Sequence, residues 1–159
     1  MIIRSTKKED FERWFRLRKQ LFESEMKIAK ADTFIKFYIE KPIKKQQQKE
    51  FSKMLGKEDS IFIVAEEKKN LIGYLFGFLN YYKIHNLRRK FGYLDTMVVL
   101  KNYRDRGVGK KLHNKFIKWL KSKKIKWAVL RVDNSNIAGR KFYKKERYYP
   151  TELRMVKRI

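Results

Sequence analysis

A short polar loop, from Arg104 to Gly109, has the residue spacing with the clearest chemical meaning in this sequence. Its residues follow the pattern R-x-x-G-x-G, after an apolar β-branched run that ends at Leu100 and before an amphipathic helical pattern. Glycine lets the main chain turn tightly and approach a ligand closely, and a helix start leaves N–H groups free for an anion. The order of strand, glycine loop and helix therefore predicts a site for phosphate groups.

Other kinds of reactive site are excluded by composition. The 159 residues include no cysteine, which rules out disulfides, a cysteine nucleophile and cysteine-based zinc sites. The two histidines, His85 and His113, are isolated and lack the spacing of metal ligands. We therefore expect a protein without a metal site, and we expect His113 to lie on the surface of its helix.

Basic residues dominate the charge, with 42 Lys and Arg against 17 Asp and Glu and a formal net charge of +25. Such a field attracts anions, so nucleic acid, ribosomes, acidic proteins and multiply phosphorylated small ligands all fit. The alternative is a lysine-rich composition of ordinary solvated surfaces, because the basic residues are scattered along the chain. No aromatic RNA-recognition motif is present.

Length and hydropathy favour one soluble domain spanning residues 1–159. Hydrophobic residues make up 43% of the chain, enough for a packed core. The first residues lack an apolar segment of signal-peptide length, and the longest apolar run, Leu71 to Leu79, is interrupted by Gly73 and Gly77. We expect a cytoplasmic protein that makes no membrane contact.

Apolar periodicity predicts the order β-α-α-β-β-β-α-β-α-β. A capping-box pattern, Thr6-x-x-Glu9, precedes the first helix, and Asn134 is the expected N-cap of the last. His85 to Lys90 is expected to form a basic connection. The predicted strands are Ile2–Ile3, Ile61–Ala65, Leu71–Tyr82, Phe91–Leu100, Ile125–Val132 and Tyr148–Ile159; the helices contain Phe11–Phe22, Ile43–Leu55, Val108–Leu120 and Asn134–Lys145.

Two motifs resemble those of the GNAT superfamily of N-acetyltransferases. The segment Y-L-D-T-M-V-V-L-K-N-Y-R-D-R-G-V-G-K-K-L resembles the family's acetyl-CoA motif. The strand I-K-W-A-V-L-R-V and the following N-S-N-I-A-G-R-K-F-Y resemble its N-x-A-x-x-x-F-Y element. These motifs lie within residues 91–145, whereas the rest matches in element order alone. One departure is Glu146-Arg147-Tyr148-Tyr149, where the family usually has a Gly-Phe pair.

The resemblance implies a mixed α/β fold with a central twisted sheet and helices on both faces. It also implies acetyl transfer from acetyl-CoA to an amine, with backbone N–H groups around Met97 to Val99 stabilising the developing oxyanion. The cofactor-binding residues implied are Met97, Val98, Val99, Arg104, Asp105, Arg106, Gly107, Val108, Gly109, Lys110, Lys111, Asn136 and Tyr143.

Two residues are the catalytic candidates. Asp95 is the only acidic residue in the strand 91–100 and is the candidate base, acting through a water; the alternative is a solvated or hydrogen-bonded strand carboxylate. By resemblance, Tyr143 is the candidate acid for the departing thiolate; the alternative is a tyrosine packed on the sheet. Asn136 is expected to hydrogen-bond the pantetheine arm, and its alternative is a role at the helix start.

The amine acceptor has no readable motif. By resemblance its site is formed by about residues 22–43, with a contribution from the end of the chain. Glu23, Glu25, Asp32 and Glu40 are candidates for an acidic pocket there. A small-molecule amine and a protein amine both remain open, as do a monomer and a homodimer. The alternative function is a non-catalytic module on the same fold, which binds CoA or acyl-CoA or associates with nucleic acid.

Overall fold

The computed structural model describes residues 1–28, 41–84, 87–155 and 157. None of the helices in these ranges is both long and apolar enough to cross a membrane. The elements in chain order are β1 (Ile2–Ser5), a 3-10 turn (Lys8–Asp10), α1 (Phe11–Ile28), α2 (Lys44–Met54), β2 (Ser60–Glu67), β3 (Asn70–Ile84), β4 (Leu87–Val99), a 3-10 turn (Lys101–Tyr103), α3 (Val108–Ser122), β5 (Ala128–Leu130) and α4 (Ile137–Lys145).

The strands form one mixed sheet in the order β1-β2-β3-β4-β5. The first four strands are antiparallel neighbours, and β5 lies parallel to β4. A two-residue turn at Lys68 and Lys69, both with positive φ, joins β2 to β3 as tight hairpins require. The predicted α/β fold with a mixed central sheet is therefore confirmed.

One face of the sheet is covered by α3, whose apolar stripe consists of Leu112, Phe116 and Leu120, all buried. This stripe lies over small residues of β3 and β4. A Cβ atom on Gly77 would come within 2.7 Å of the Phe116 ring, and Gly92 has still less room beneath Leu120. Glycine at these two positions lets the helix approach the sheet closely enough to exclude water.

The opposite face is covered by α1 and α2 through an aromatic cluster. Trp14 and Phe51 are almost fully buried, and their ring centroids lie 5.0 Å apart. Phe62 and Tyr74 supply the sheet side of the cluster, each in edge contact with Trp14. Because side chains alternate along a strand, Tyr74 faces this cluster while its neighbour Gly73 faces α3. Helices therefore cover both faces, as predicted.

An ionic cluster around the buried carboxylate of Asp10 joins β1, β2 and the start of α1. The Asp10 carboxylate accepts two hydrogen bonds from the Arg4 guanidinium, at 2.7 and 2.9 Å, and a third from Arg13. Glu66 accepts from both arginines. Burial raises the pKa of Asp10, but the hydrogen bonds from Arg4 and the Lys7 N–H, with both positive charges, outweigh it and hold the pKa at about 2.

The start of the first helix is capped by a different pair of residues from the predicted one. The capping hydrogen bond joins the Lys7 N–H to Asp10, at 2.9 Å, and the predicted pair was Thr6 and Glu9. Asp10 is preferred because Arg4 and Arg13 fix its position, a tertiary effect that local spacing does not reveal. The Thr6 hydroxyl is buried and has no hydrogen-bond partner among the described residues.

The structure corrects three other predictions, concerning one connection, one side chain and the length of one strand. The strand β4 begins at Leu87, so most of the predicted His85–Lys90 connection belongs to it; His85 itself lies outside the described residues. The predicted surface residue His113 is buried, with 3% of its surface exposed. The strand predicted at Ile125–Val132 is reduced to β5, because the Ile125 N–H donates to Leu120 O and closes the end of α3.

The predicted final strand, Tyr148–Ile159, is absent from the described part of the segment, residues 148–155 and 157. Pro150 has no N–H to donate to a strand ladder, and Leu153 and Met155 are more than four-fifths exposed. A strand is stabilised by pairing with a neighbouring strand. The sequence pattern of residues 148–159 does not show whether such a neighbour is available.

Internal contacts divide the chain into two compact units. The first unit is Met1–Leu21 with Lys41–Arg131, and the second unit is Phe22–Glu40 with Val132–Ile159. The first unit contains the sheet, α2 and α3, and the second contains α4. Folding as a single domain over residues 1–159 stays a prediction.

Candidate active site

Asp95 occupies a β-bulge in the middle of β4. The register pairs Gly77 with Leu94 and Phe76 with Thr96, which leaves Asp95 as the extra residue. Its side chain is exposed, and one carboxylate oxygen accepts a hydrogen bond from the Thr96 hydroxyl at 2.9 Å. Bulges are frequent beside active sites because they redirect a side chain and interrupt pairing.

Pairing between β4 and β5 also stops at this point. The parallel ladder joins Gly92–Leu94 to Ala128–Leu130 and goes no further, whereas β4 itself continues to Val99. From Asp95 onward, the outer edge of β4 is therefore an open edge beside the sheet.

Backbone alternation determines which amides face the open edge. The Leu100 N–H donates to Ile72 O at 2.9 Å, on the β3 side. Since alternate residues of a strand direct their N–H groups to opposite edges, Val98 also points toward β3, while Met97 and Val99 point to the open edge. Of the predicted oxyanion donors, Met97 to Val99, Met97 and Val99 thus direct their N–H groups to the open edge, and Val98 does not.

The glycine loop leads from this edge into α3. Asp105 and Gly107 both adopt left-handed backbone conformations, with φ of 60° and 76°. A Cβ on Gly107 would have open space around it, so the glycine is favoured for its φ and not for lack of room. The first bond within α3 joins the Lys111 N–H to Gly107 O at 3.0 Å.

That bond leaves the N–H groups of Val108, Gly109 and Lys110 without partners inside the helix. Together with the positive end of the helix dipole they form an anion-binding end, which we call the amide cradle. The strand, glycine loop and helix therefore follow one another as the sequence predicts, and binding of a diphosphate at the amide cradle stays a prediction.

The predicted loop cations are exposed, and two of them also support the loop. The Arg104 Nε donates to Val99 O at 3.1 Å, and the Arg106 guanidinium lies 5.5 Å from the centre of the Tyr103 ring. Lys110 and Lys111 are exposed on the first turn of α3. Tyr103 was not predicted from the sequence, since an aromatic residue in a loop has no motif of its own.

In the second unit, Asn136 is the N-cap of α4. Its side-chain oxygen accepts from the Gly139 N–H at 2.9 Å. The expected N-cap, Asn134, instead accepts from Arg140 through both its side-chain and its backbone oxygen. Asn136 therefore has the helix-start role that was its alternative, and its contact with pantetheine stays a prediction.

Tyr143 lies near the end of α4, half-buried beside Tyr148, with ring centroids 5.6 Å apart. Burial raises the pKa of Tyr143 to about 12, so its hydroxyl stays protonated at neutral pH. The contact with Tyr148 was not predicted from the sequence. The residues that end α4 after Tyr143 could have indicated it, because they form a specific type of helix ending.

This helix ending replaces the glycine that the family usually has after the Phe-Tyr pair. The Tyr148 N–H donates to Tyr143 O, and the Arg147 N–H donates to Lys144 O. These two bonds, with Arg147 at φ 66°, define a Schellman ending. The Tyr143–Tyr148 ring contact is the apolar contact that accompanies such an ending.

Much of the expected acceptor site, residues 22–43, lies outside the described residues. Of its acidic candidates, Asp32 and Glu40 fall in the range 29–40, and the side chain of Glu25 is also outside the description, whereas Glu23 is exposed on α1. Among the described residues, no group of three His, Asp or Glu side chains has the geometry to hold a metal.

The fold and site define a mixed α/β protein with an open strand edge leading into an anion-binding helix start. A sequence model of the acetyltransferase (GNAT) family matches residues 13–147. The chain therefore belongs to the GNAT acetyltransferase family, and the resemblance of its two motifs is confirmed.

Known proteins agree with this assignment. An uncharacterized N-acetyltransferase of Archaeoglobus fulgidus is 26% identical over 132 residues, which cover 74% of this chain and 89% of that protein. A mutant of the BH1408 protein of Bacillus halodurans has the same fold, with a TM-score of 0.87, 20% identity and coverage of 100% and 99%. The aminoglycoside N-acetyltransferase AAC(6')-Iy in complex with CoA superposes with a TM-score of 0.76, 19% identity and coverage of 99% and 93%.

Proposed function

We propose that the chain transfers an acetyl group from acetyl-CoA to a primary amine by direct attack within a ternary complex. The observation that carries the proposal is the open edge of β4, which leads directly into the amide cradle. Acetyl-CoA supplies an acetyl group activated as a thioester, and the CoA complex of the similar AAC(6')-Iy supports its use here.

The cradle would bind the diphosphate of CoA. The amides of Val108, Gly109 and Lys110 converge at the start of α3, and Arg104, Arg106 and Lys111 add positive charge nearby. Asp105 is the one acidic residue of the loop. Because its φ is positive, we assign it a role in forming the left-handed turn and no contact with the ligand. The NH₂ group of Asn136 would donate to the pantetheine arm.

Asp95 would accept the proton that the amine must lose. An alkylammonium with a pKa of ~10.4 has no lone pair, so attack on the thioester carbon requires the neutral amine. Asp95 is exposed to water at the bulge and is short, which favours proton removal through an intervening water molecule. Its hydrogen bond with Thr96 fixes the carboxylate orientation.

The amides of Met97 and Val99 would stabilise the oxyanion that forms as the new C–N bond develops. Both belong to a strand anchored on its other edge by β3, so they are oriented before the substrate arrives. Donors fixed in advance stabilise the transition state more than the ground state, which is how they increase the rate.

Tyr143 would donate a hydrogen bond to the sulfur as the C–S bond breaks. Burial raises its pKa to about 12, above the usual range of a thiol, so complete proton transfer from Tyr143 to the departing thiolate is unfavourable. We therefore assign Tyr143 a hydrogen-bonding role, in which the proton moves fully only if the bound substrate lowers this difference.

The test measures release of free CoA thiol from acetyl-CoA over a panel of simple amines, polyamines, aminoglycosides and peptides with free N-termini. We expect turnover with at least one amine. Tyr143→Phe should lower kcat by about 10- to 100-fold with little change in KM. Tyr148→Phe, which keeps the ring contact, is the matched control and should retain activity.

The alternative is a non-catalytic module that binds CoA or an acyl-CoA. Saturable CoA binding by calorimetry without turnover of any amine would support that module and contradict transfer. A chain that binds no CoA would contradict both functions.

A further inference from the structure

A second concave surface lies in the first unit at the C-terminal end of α3. Its cavity has a volume of about 580 Å³, and no carboxylate lines it. We call it the basic concavity; its lining residues are Arg89, Lys90, Lys123, Lys124, Ile125, Lys126 and Trp127.

Backbone hydrogen bonds fix the shape of this surface. Lys124 adopts φ of 57° and closes α3 in a Schellman ending, in which its N–H donates to Lys121 O and that of Ile125 to Leu120 O. The Gly92 N–H then donates to Trp127 O at 2.9 Å, which holds the segment against β4. The basic side chains therefore project from a positioned main chain.

Trp127 exposes 62% of its surface within this basic setting. Trp14 is 2% exposed and Trp119 is half-buried, so Trp127 is the tryptophan available to a ligand. Tyr82, 52% exposed, lies opposite Arg89 in the β3–β4 ladder. Trp127 is the aromatic residue that lines the concavity, and Tyr82 is a second exposed ring beside Arg89.

Two of the five cations in the concavity have a carboxylate nearby: Lys123, and Lys90, whose pKa is raised by its hydrogen bond with Tyr81 and to a smaller extent by the charge of Asp59. Lys123 has a carboxylate nearby, at 3.7 Å from Glu58, whose side chain is 92% exposed. Lys90 lies 5.3 Å from the centre of the Tyr81 ring. Arg89, Lys124 and Lys126 form no ion pair with any residue in the described ranges.

We propose that the basic concavity binds single-stranded nucleic acid. Lysine and arginine neutralise backbone phosphates, and an exposed tryptophan stacks on an unpaired base of any sequence. A duplex hides the faces of its bases, which favours the single strand. A membrane surface is bound by a broad apolar face, and the concavity has two apolar side chains, Ile125 and Trp127, against five cations.

This site is separate from the amide cradle. The helix α3 has 15 residues and is therefore about 22 Å long, with the cradle at its first turn and the concavity beyond its last. The chain should consequently bind CoA and nucleic acid at the same time. If the proposed acetyl transfer failed its test, nucleic-acid binding at the concavity would be unaffected.

The first experiment titrates the full chain with fluorescein-labelled U12 RNA and T12 DNA, a 12-base-pair duplex, and vesicles containing phosphatidylglycerol. We expect saturable binding of the single strands, tighter than that of the duplex, with quenching of tryptophan fluorescence. Equal or tighter binding of duplex or vesicles, or no binding of single strands at 50 mM salt, would overturn the proposal.

The second experiment compares two variants that each lose three positive charges. The concavity variant combines Arg89→Gln, Lys124→Gly and Lys126→Gln. The control variant combines Lys45→Gln, Lys49→Gln and Lys53→Gln on the exposed face of α2. At about 0.7 per phosphate contact, the first should reduce the slope of log affinity against log salt by about 2. An equal reduction in the control would show a general charge effect and refute a localised site.

The third experiment isolates stacking. Trp127→Ala should weaken U12 binding at least about fivefold, and Trp127→Phe should restore most of it because a ring remains. An unchanged affinity in Trp127→Ala would exclude stacking at this residue. Saturating CoA should not displace U12 from the wild-type chain, and displacement would show that the two ligands share one site.

Discussion

In the first unit, α3 buries a continuous stripe of Leu112, Phe116 and Leu120 against the sheet, whereas no residue of α4 in the second unit is fully buried. Hydrogen bonds at both ends define α4 instead: the Asn136 cap, the Arg140–Asn134 bonds and the Schellman ending at Arg147. The open edge and amide cradle are thus built on a packed core, while the proposed sulfur donor Tyr143 lies on a helix that has no fully buried residue. Substitutions in the two units should therefore differ in size and in kind.

The largest expected effect is in the core of the first unit. Phe116 is fully buried, so Phe116→Ala should lower the free energy of unfolding by about 3–5 kcal/mol through lost burial and a cavity. In α4, Ile137→Ala should cost less than about 1 kcal/mol, because Ile137 is 63% exposed. Urea unfolding measures the free energy of unfolding of both variants. An equal loss in the two variants would contradict the expected difference between the units.

Acid should weaken the ionic cluster of the first unit. Asp10 is 1% exposed and has its pKa lowered from 3.8 to about 2, so its stabilisation is complete above the unfolded pKa and is lost as pH falls toward 2. The stability advantage of wild type over Asp10→Asn should shrink by about 2 kcal/mol between pH 5 and pH 2. Thermal unfolding across this range measures it, with Glu9→Gln, an exposed neighbour, as the control. A constant advantage would contradict the assigned pKa.

The amide cradle allows a matched comparison between two glycines. Gly107 and Gly56 both have positive φ, and a methyl group on either Cα would meet open space. Alanine at either position should cost about 1 kcal/mol of stability. Only Gly107→Ala should also weaken CoA binding, by about tenfold, because it alone moves the amides of the cradle. Calorimetric titration decides, and equal CoA affinity of the two variants would place the cofactor elsewhere.

The smallest effect is a gain in stability at the helix ends. Lys124 and Arg147 occupy the left-handed position of a Schellman ending, one in each unit. Glycine removes the steric cost at that position, so Lys124→Gly and Arg147→Gly should each stabilise by up to about 1 kcal/mol. Lys141→Gly, on the exposed side of α4, should instead destabilise by about 1 kcal/mol. A loss of stability at both ends would contradict the left-handed conformations.

Local patterns predicted the features that depend on near neighbours in the chain. The helices α1, α2 and α3 and the strands β2, β3 and β4 all lie where apolar periodicity predicts them. The glycine loop belongs to the same group, because the φ of Gly107 and the free amides of α3 are consequences of a local turn into a helix.

The sequence by itself therefore determined the family, the order of the elements as far as α4, and the glycine loop between β4 and α3. Tertiary structure alone decided that Asp95 lies in a bulge, that β5 stops pairing at Leu94, and that Met97 and Val99, but not Val98, direct their amides to the open edge. It also decided that Asp10 caps the first helix and that Trp127 is exposed among lysines. Each of these depends on which distant segments lie side by side, and the spacing of residues along one chain does not specify that pairing.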